Sequence, residues 1–167
     1  DGNMRVLEYI KDTAEYVTTN DGTKITASQM LENFLFEGPL QHSFISKLSG
    51  GERRRLYLLK VLMEAPNVLF LDEPTNDLDI QTLTILEDYL DNFGGTVVII
   101  SHDRYFLDRT ANRIFSFEGK GEILELVGNY SDYKDYKEFK EEQLQEEVSK
   151  KKEEPKQKRE KQQKLKF

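Results

Sequence analysis

The chain has no cysteine. That absence excludes a disulfide framework and a thiolate metal site, and it fits a reducing, cytoplasmic compartment. No apolar run approaches the ~18 residues of a membrane-crossing helix, so no segment is expected to span a bilayer. The N-terminal DGNMRVLEYIKD lacks the basic-then-apolar pattern of a secretory leader. It also starts at Asp1 and not at methionine, so the chain is expected to be a piece of something longer. Ten glycines are present, yet none opens the G-x-x-x-x-G-K-[ST] pattern of a phosphate-holding loop.

Hydrophobic residues make up 37% of the 167 positions and charged residues 33%, a low and a high share for a compact domain. The imbalance is local. From Asp1 to Gly128, rich in branched and aromatic residues, 12 Lys and Arg face 21 Asp and Glu, a balance of −9. From Asn129 to Phe167 the counts are 12 and 10, giving +2. Within that stretch, Lys150 to Lys166 carries 9 against 3, giving +6. One domain with a real core fits the first part, and an appendage fits the second. An acidic body with a basic end points to a polyanionic partner for the tail only.

Residues 4 to 17 mix apolar and charged positions at helical spacing, and Asn20-Asp21-Gly22 marks a tight turn after them. Thr26 to Phe36 reads as a helix with Met30, Leu31, Phe34 and Leu35 on its apolar face, broken by Gly38-Pro39. A second helix is expected from Ser49 to about Glu64, ending before Pro66. Its apolar residues nearly encircle it, which predicts a buried helix. Val68 to Leu71 and Thr96 to Ile100 are short continuous apolar runs, as expected of strands covered on both faces. Between them, Ile80 to Phe93 carries Leu83, Leu86, Leu90 and Phe93 along one stripe, the pattern of an amphipathic helix. A short helix at about Arg104 to Ala111 precedes a hairpin, Arg113 to Phe117 with Glu122 to Val127, around Gly119-Lys120-Gly121. This alternation predicts an α/β domain with parallel central strands. Past Gly128, Tyr130, Tyr133, Tyr136 and Phe139 place an aromatic stripe on the start of a helix. Apolar residues almost vanish beyond Leu144, and Lys150 to Lys166 is expected as a solvated helix or a disordered linker.

Asp72 and Glu73 follow the apolar run in LFLDEPTNDLD, at the C-terminal end of a predicted buried strand, where open α/β sheets bind ligands. One carboxylate there suits Mg2+, which keeps several of its waters. The next can orient and polarise an attacking water. Alone, the pair also fits the polar end of an ordinary strand. His102 follows the next strand in TVVIISHD. If the two strands are neighbours, it stands beside Glu73, in reach of a terminal phosphate or that water. Alone it reads as a surface histidine, as His42 does. In LSGGERRR, Ser49 is a natural N-cap, and Gly50-Gly51 let a ligand approach the outward N–H groups of a helix start. By itself this is also a capped helix with nothing bound, and Arg53 to Arg55 read as a solvated face.

In this order and at these intervals, LSGGE, VLFLDEPTNDLD and VVIISHD resemble the ATP-binding cassette family, over about Ile45 to Val127. The resemblance implies an ATPase of the P-loop class, with ATP and Mg2+ as its ligands. The first motif matches the family's signature, the second its Walker B segment with the D-loop, the third its switch histidine. Asp72 is thereby implied as the magnesium carboxylate, Glu73 as the catalytic base and His102 as a contact to the γ-phosphate. Ser49, Gly50 and Gly51 are implied to meet the γ-phosphate of a nucleotide on an opposing cassette, and Asp77, Leu78 and Asp79 to lie at the dimer interface. The family's phosphate loop and Q-loop precede the signature, so both are expected upstream of Asp1. The division implied is a mostly helical subdomain over 1–48, the C-terminal part of the ATPase core over 49–128, and a charged helical linker toward a coiled coil over 129–167.

EPTN-x-LD from Glu73 to Asp79, SHDRYFLDR from Ser101 to Arg109, and GNYSDY from Gly128 to Tyr133 resemble the ABC-F branch. Its members carry two cassettes in tandem and act on ribosomes in translation. Asp77 and the run SKLSGGERRRLYLLKVL are similar to the Uup-type subgroup and imply the second cassette. The implied partners are another cassette in the same parent chain and the ribosome or RNA; the isolated piece is expected to be inactive. Two other ATPase classes compete. A transporter subunit is disfavoured by EPTN and the basic tail. In a chromosome-maintenance or DNA-repair head, the coil leads into the signature instead of following the core. A non-enzymatic interaction module fits least, because the catalytic residue types are all present.

Overall fold

The computed structural model describes residues 2–19 and 22–146, with the backbone alone at Asp77. The chain divides into two compact units, Asp1–Thr110 and Ala111–Phe167.

In the first unit, helix α1 (Val6–Lys11) is shorter than the spacing over residues 4 to 17 predicts. Only Val6 and Ile10, one turn apart, are buried. Tyr16–Thr18 instead extends as β1 and pairs antiparallel with β2 (Lys24–Thr26), Val17 opposite Ile25. The β-branched Val17, Thr18, Ile25 and Thr26 favour that strand geometry. Of the turn expected between them, Asn20 and Asp21 lie outside the described residues, and Gly22 has a left-handed φ of 83°. Helix α2 (Ala27–Asn33) starts on a capping box in which Thr26 and Gln29 satisfy each other's N–H groups. It ends before the predicted Phe36. Leu35 is exposed at φ 62°, off the apolar face assigned to it, and Phe36 turns back into the core. Gly38-Pro39 starts a helix, α3 (Gly38–Gln41), where it was expected to break one. Proline at a first helical position gives up no N–H that the helix needs.

Helix α4 (Gly50–Met63) is capped by Ser49 and buries Leu56, Leu59, Leu62 and Met63. Tyr57 is exposed, so the helix is covered on one broad side and not all round. Strands β3 (Val68–Asp72) and β4 (Thr96–Ile100) form a parallel pair, Val68 opposite Thr96 through Asp72 opposite Ile100. Between them run α5 (Pro74–Asp77) and α6 (Ile80–Asp91), the crossover that parallel strands require. Gly95 is needed at the entry to β4. A Cβ there would stand 2.4 Å from the Asn67 carbonyl oxygen, which accepts the Thr96 N–H at 2.9 Å. Helix α7 (Arg104–Thr110) follows and buries Phe106.

One core joins the helical lobe to the strands, from Val6 and Ile10 through Met30, Phe34 and Leu59 to Leu69, Leu71, Leu86 and Phe106. Each such side chain contributes about 1.5–3 kcal/mol when fully buried. The core lies on one face of the parallel pair. Val68, Phe70, Val98 and Ile100 point away from it and are exposed, Phe70 at 72%. The expectation of two covered faces is therefore corrected: the described residues cover one.

In the second unit, β5 (Arg113–Gly119) and β6 (Glu122–Val127) form an antiparallel hairpin with a register shift between Phe117 and Gly119. Residues 130–146 are helical and form α8. The Tyr133 hydroxyl shares a 2.8 Å hydrogen bond with Ser116 Oγ, and Lys137 pairs with Glu118. Three members of the aromatic stripe, Tyr130, Tyr133 and Tyr136, are half-buried, while Phe139 is exposed. The basic stretch Lys150 to Lys166 lies outside the described residues.

Candidate active site

Because Asp72 pairs with Ile100, the chain leaves β3 and β4 at the same end, with Glu73 and His102 facing one another. The Glu73 N–H donates to the Ile100 carbonyl at 2.8 Å, which continues the ladder one step beyond the strands. The His102 N–H donates to Glu73 Oε2 at 3.3 Å, and His102 Nε2 lies 3.5 Å from Oε1. The glutamate side chain is 24% exposed and the imidazole 99%. Glu73 sits in the left-handed region, φ 46° and ψ 51°, at the sharp turn from β3 into α5. Strain of about 1–3 kcal/mol at a non-glycine residue there must be held by the surrounding structure.

Asp72 ends β3 exposed, and its carboxylate makes no hydrogen bond or ion pair among the described residues. Among those residues there is also no cluster of three or more His, Cys, Asp and Glu that would cage a metal ion. A single free carboxylate fits Mg2+, which is held by one or two carboxylates together with waters and substrate phosphates.

Ser49 Oγ accepts the Glu52 N–H at 3.3 Å and donates to Glu52 Oε2 at 2.8 Å, while the Ser49 N–H donates to the same oxygen at 2.7 Å. The Ser49 N–H and hydroxyl hold the Glu52 carboxyl below the usual carboxylate range. A Cβ on Gly50 or Gly51 would meet nothing within 4 Å, so the fold itself does not require glycine at either. Among the described residues, no hydrogen bond or ion pair joins Ser49, Gly50 or Gly51 to Glu73 or His102. Asp77 ends α5, Leu78 is half-buried against the core, and Asp79 caps α6 by accepting the Thr82 N–H at 2.9 Å. His42 is exposed after α3; its backbone N–H donates to the Leu40 carbonyl and its own carbonyl accepts from Arg5.

A family model described as "ABC transporter" matches residues 4–76. The Bacillus subtilis protein named "Uncharacterized ABC transporter ATP-binding protein YfmR" is 63% identical over 131 residues, 78% of this chain and 21% of that protein. ATP-binding protein Uup of Escherichia coli is 42% identical over 132 residues, 79% of this chain and 21% of its own. The chain belongs to the ATP-binding cassette family, in its ABC-F branch. Haemophilus influenzae carries a further relative, "Energy-dependent translational throttle protein EttA", 41% identical over 132 residues, 79% of this cassette chain and 24% of that protein. The cassette chain thus spans about a fifth to a quarter of the length of these relatives.

Sequence reasoning missed one residue of this cassette. Arg53 and Arg54 are exposed, as a solvated face requires, but the Arg55 side chain is only 12% exposed. Its Nη1 lies 3.7 Å from Asp79 Oδ2 and 3.4 Å from Thr82 Oγ1. The signal was available in the helical period. Arg55 lies four and seven residues before Leu59 and Leu62, on the buried stripe of α4.

Proposed function

We propose that this chain is the hydrolytic and partner-facing part of an ABC-F ATPase that acts on the ribosome in translation, in the cytoplasm. The observation that carries the reading is the pairing of Glu73 with His102 at the shared end of two parallel strands, next to the free Asp72 carboxylate. Asp72 would hold Mg2+, which would supply charge neutralisation to the substrate phosphates. Glu73 takes the proton of a water that attacks the γ-phosphorus, and ADP departs with the electron pair of the broken P–O bond. The exposed His102 ring donates to a γ-phosphate oxygen.

The Ser49 hydroxyl and the Gly50 and Gly51 N–H groups serve a nucleotide held by a second cassette, which Asp77, Leu78 and Asp79 also meet. For that contact the Ser49 hydroxyl leaves Glu52, to which it donates at 2.8 Å. Support for a part in translation comes from the relative named as a translational throttle. The 167-residue sequence holds no G-x-x-x-x-G-K-[ST] loop, so on this reading it does not hydrolyse ATP by itself.

The test is Glu73→Gln in a full-length protein carrying this chain. The amide keeps the shape of the side chain and cannot accept the proton. ATP binding should persist while steady-state hydrolysis nearly vanishes. Hydrolysis within a few-fold of wild type would remove Glu73 from the role of base.

A further inference from the structure

Arg55 stands at a junction that the hydrolytic chemistry does not use. The Phe36 ring lies 5.3 Å from its guanidinium carbon, Asp79 Oδ2 3.7 Å and Thr82 Oγ1 3.4 Å from its Nη1. Its Nε is buried with no partner among the described residues. An aliphatic side chain of similar length would fill this space without taking a cation out of water, so the charge needs a reason.

The neighbouring carboxylates supply one. Glu52, three residues earlier on α4, closes the Ser49 cap. Asp79 closes the α6 cap through both the Thr82 N–H and the Thr82 hydroxyl, each at 2.9 Å. Hydrogen bonds from Ser49 and Thr82 are the main reason both carboxyls stay anionic, and the Arg55 charge adds to each. One cation thus ties the helix start that carries Ser49, Gly50 and Gly51 to the loop that ends at Asp79.

We propose that Arg55 is a positioning residue that fixes these two partner-facing segments relative to each other, so that both engage a second cassette together. The proposal rests on the ATPase reading given under "Proposed function". Phe36 lies against the guanidinium while Nη1 alone reaches both Asp79 and Thr82. Lysine keeps the charge but has no guanidinium plane to lay against the ring while it does so.

The experiment uses a full-length protein carrying this chain, as Arg55→Met, Arg55→Lys, Asp79→Asn and the Arg55→Met/Asp79→Asn double variant. Hydrolysis is measured against ATP concentration, with melting curves to establish the folded fraction. Arg55→Met and Asp79→Asn should each lower kcat about tenfold with KM within about threefold, and the double variant should lose no more than either alone. Arg55→Lys should fall between wild type and Arg55→Met. An arginine that only packs would lower the melting temperature and leave kcat per folded molecule unchanged. That result, or losses that multiply in the double variant, overturns the proposal. If Arg55→Met does not fold, Asp79→Asn carries the test, because it keeps the shape and the capping oxygen; wild-type kcat there overturns the proposal equally. Glu73→Gln is assayed alongside. Hydrolysis that survives Glu73→Gln defeats the ATPase reading itself, whereas its loss there with normal turnover in Arg55→Met defeats only the part given to Arg55.

Discussion

His102 engages both oxygens of the Glu73 carboxylate, Oε2 through its backbone N–H at 3.3 Å and Oε1 across 3.5 Å from its imidazole Nε2. The backbone contact is set by the β3–β4 register, while the ring projects into solvent. His102→Ala therefore keeps the N–H that orients Glu73 and removes the ring, with its contact to Oε1 and the group offered to a phosphate. In a full-length protein carrying this chain, turnover should fall about a hundredfold while ATP binding changes little. Turnover within twofold of wild type would leave His102 without a part in the chemistry.

The strand ends were legible because the sequence marks them twice. An apolar run followed by polar residues appears at both Asp72 and Ser101, and the parallel register then brings Glu73 to His102. The α4 boundaries were equally legible, since Ser49 with Glu52 is a complete capping box and Pro66 lies just beyond. The exposed face of β3 and β4 was not. A continuous apolar run states that a strand can be covered on both sides, and Phe70 shows that the described residues cover only one. Arg55 was hidden for another reason: a run of three arginines reads as one solvated face until helical phase separates the third from the first two.

Acid should weaken the first unit through Asp79 and Glu52. The Thr82 N–H is the main cause that holds the Asp79 carboxyl low, and the Ser49 N–H plays that part for Glu52. A carboxylate with a depressed folded pKa adds stability above its unfolded value, near ~4, and loses it as pH falls through the folded one. Glu87, raised by burial, works in the other direction, since its penalty disappears on acidification. Melting temperature should hold between pH 7 and about 5 and drop below about 4, with a shallower acid drop in Asp79→Asn. An unchanged acid limb in Asp79→Asn would contradict this assignment.

The uncovered face of the parallel pair should make the isolated chain associate. Val68, Phe70, Val98 and Ile100 form an apolar patch of the kind that drives contacts between molecules. Phe70→Lys should reduce concentration-dependent association in sedimentation while changing stability by about 0.5 kcal/mol or less, as for other exposed positions. Association unaffected by Phe70→Lys would place the sticky surface elsewhere.

The +6 stretch from Lys150 to Lys166 should bind RNA or ribosomes through phosphate contacts. Replacing its lysines with glutamine should weaken binding about equally for unrelated RNA sequences and flatten the dependence on salt. Affinity that does not change would leave the stretch as a solvated connection.

The central claim is that this chain holds the hydrolytic carboxylate and the partner-facing donors, but not the grip on the phosphates of its own nucleotide. Calorimetry with MgATP on residues 1–167, beside a full-length protein that carries them, tests it most directly. Two copies of the chain cannot complete one another, since both lack the same nest of backbone N–H donors and its lysine. The full-length protein should bind, and the chain alone should show no heat of binding up to about millimolar ATP, a limit near −4 kcal/mol. Micromolar ATP binding by the chain alone would contradict the account, because its phosphate site would then lie within these 167 residues.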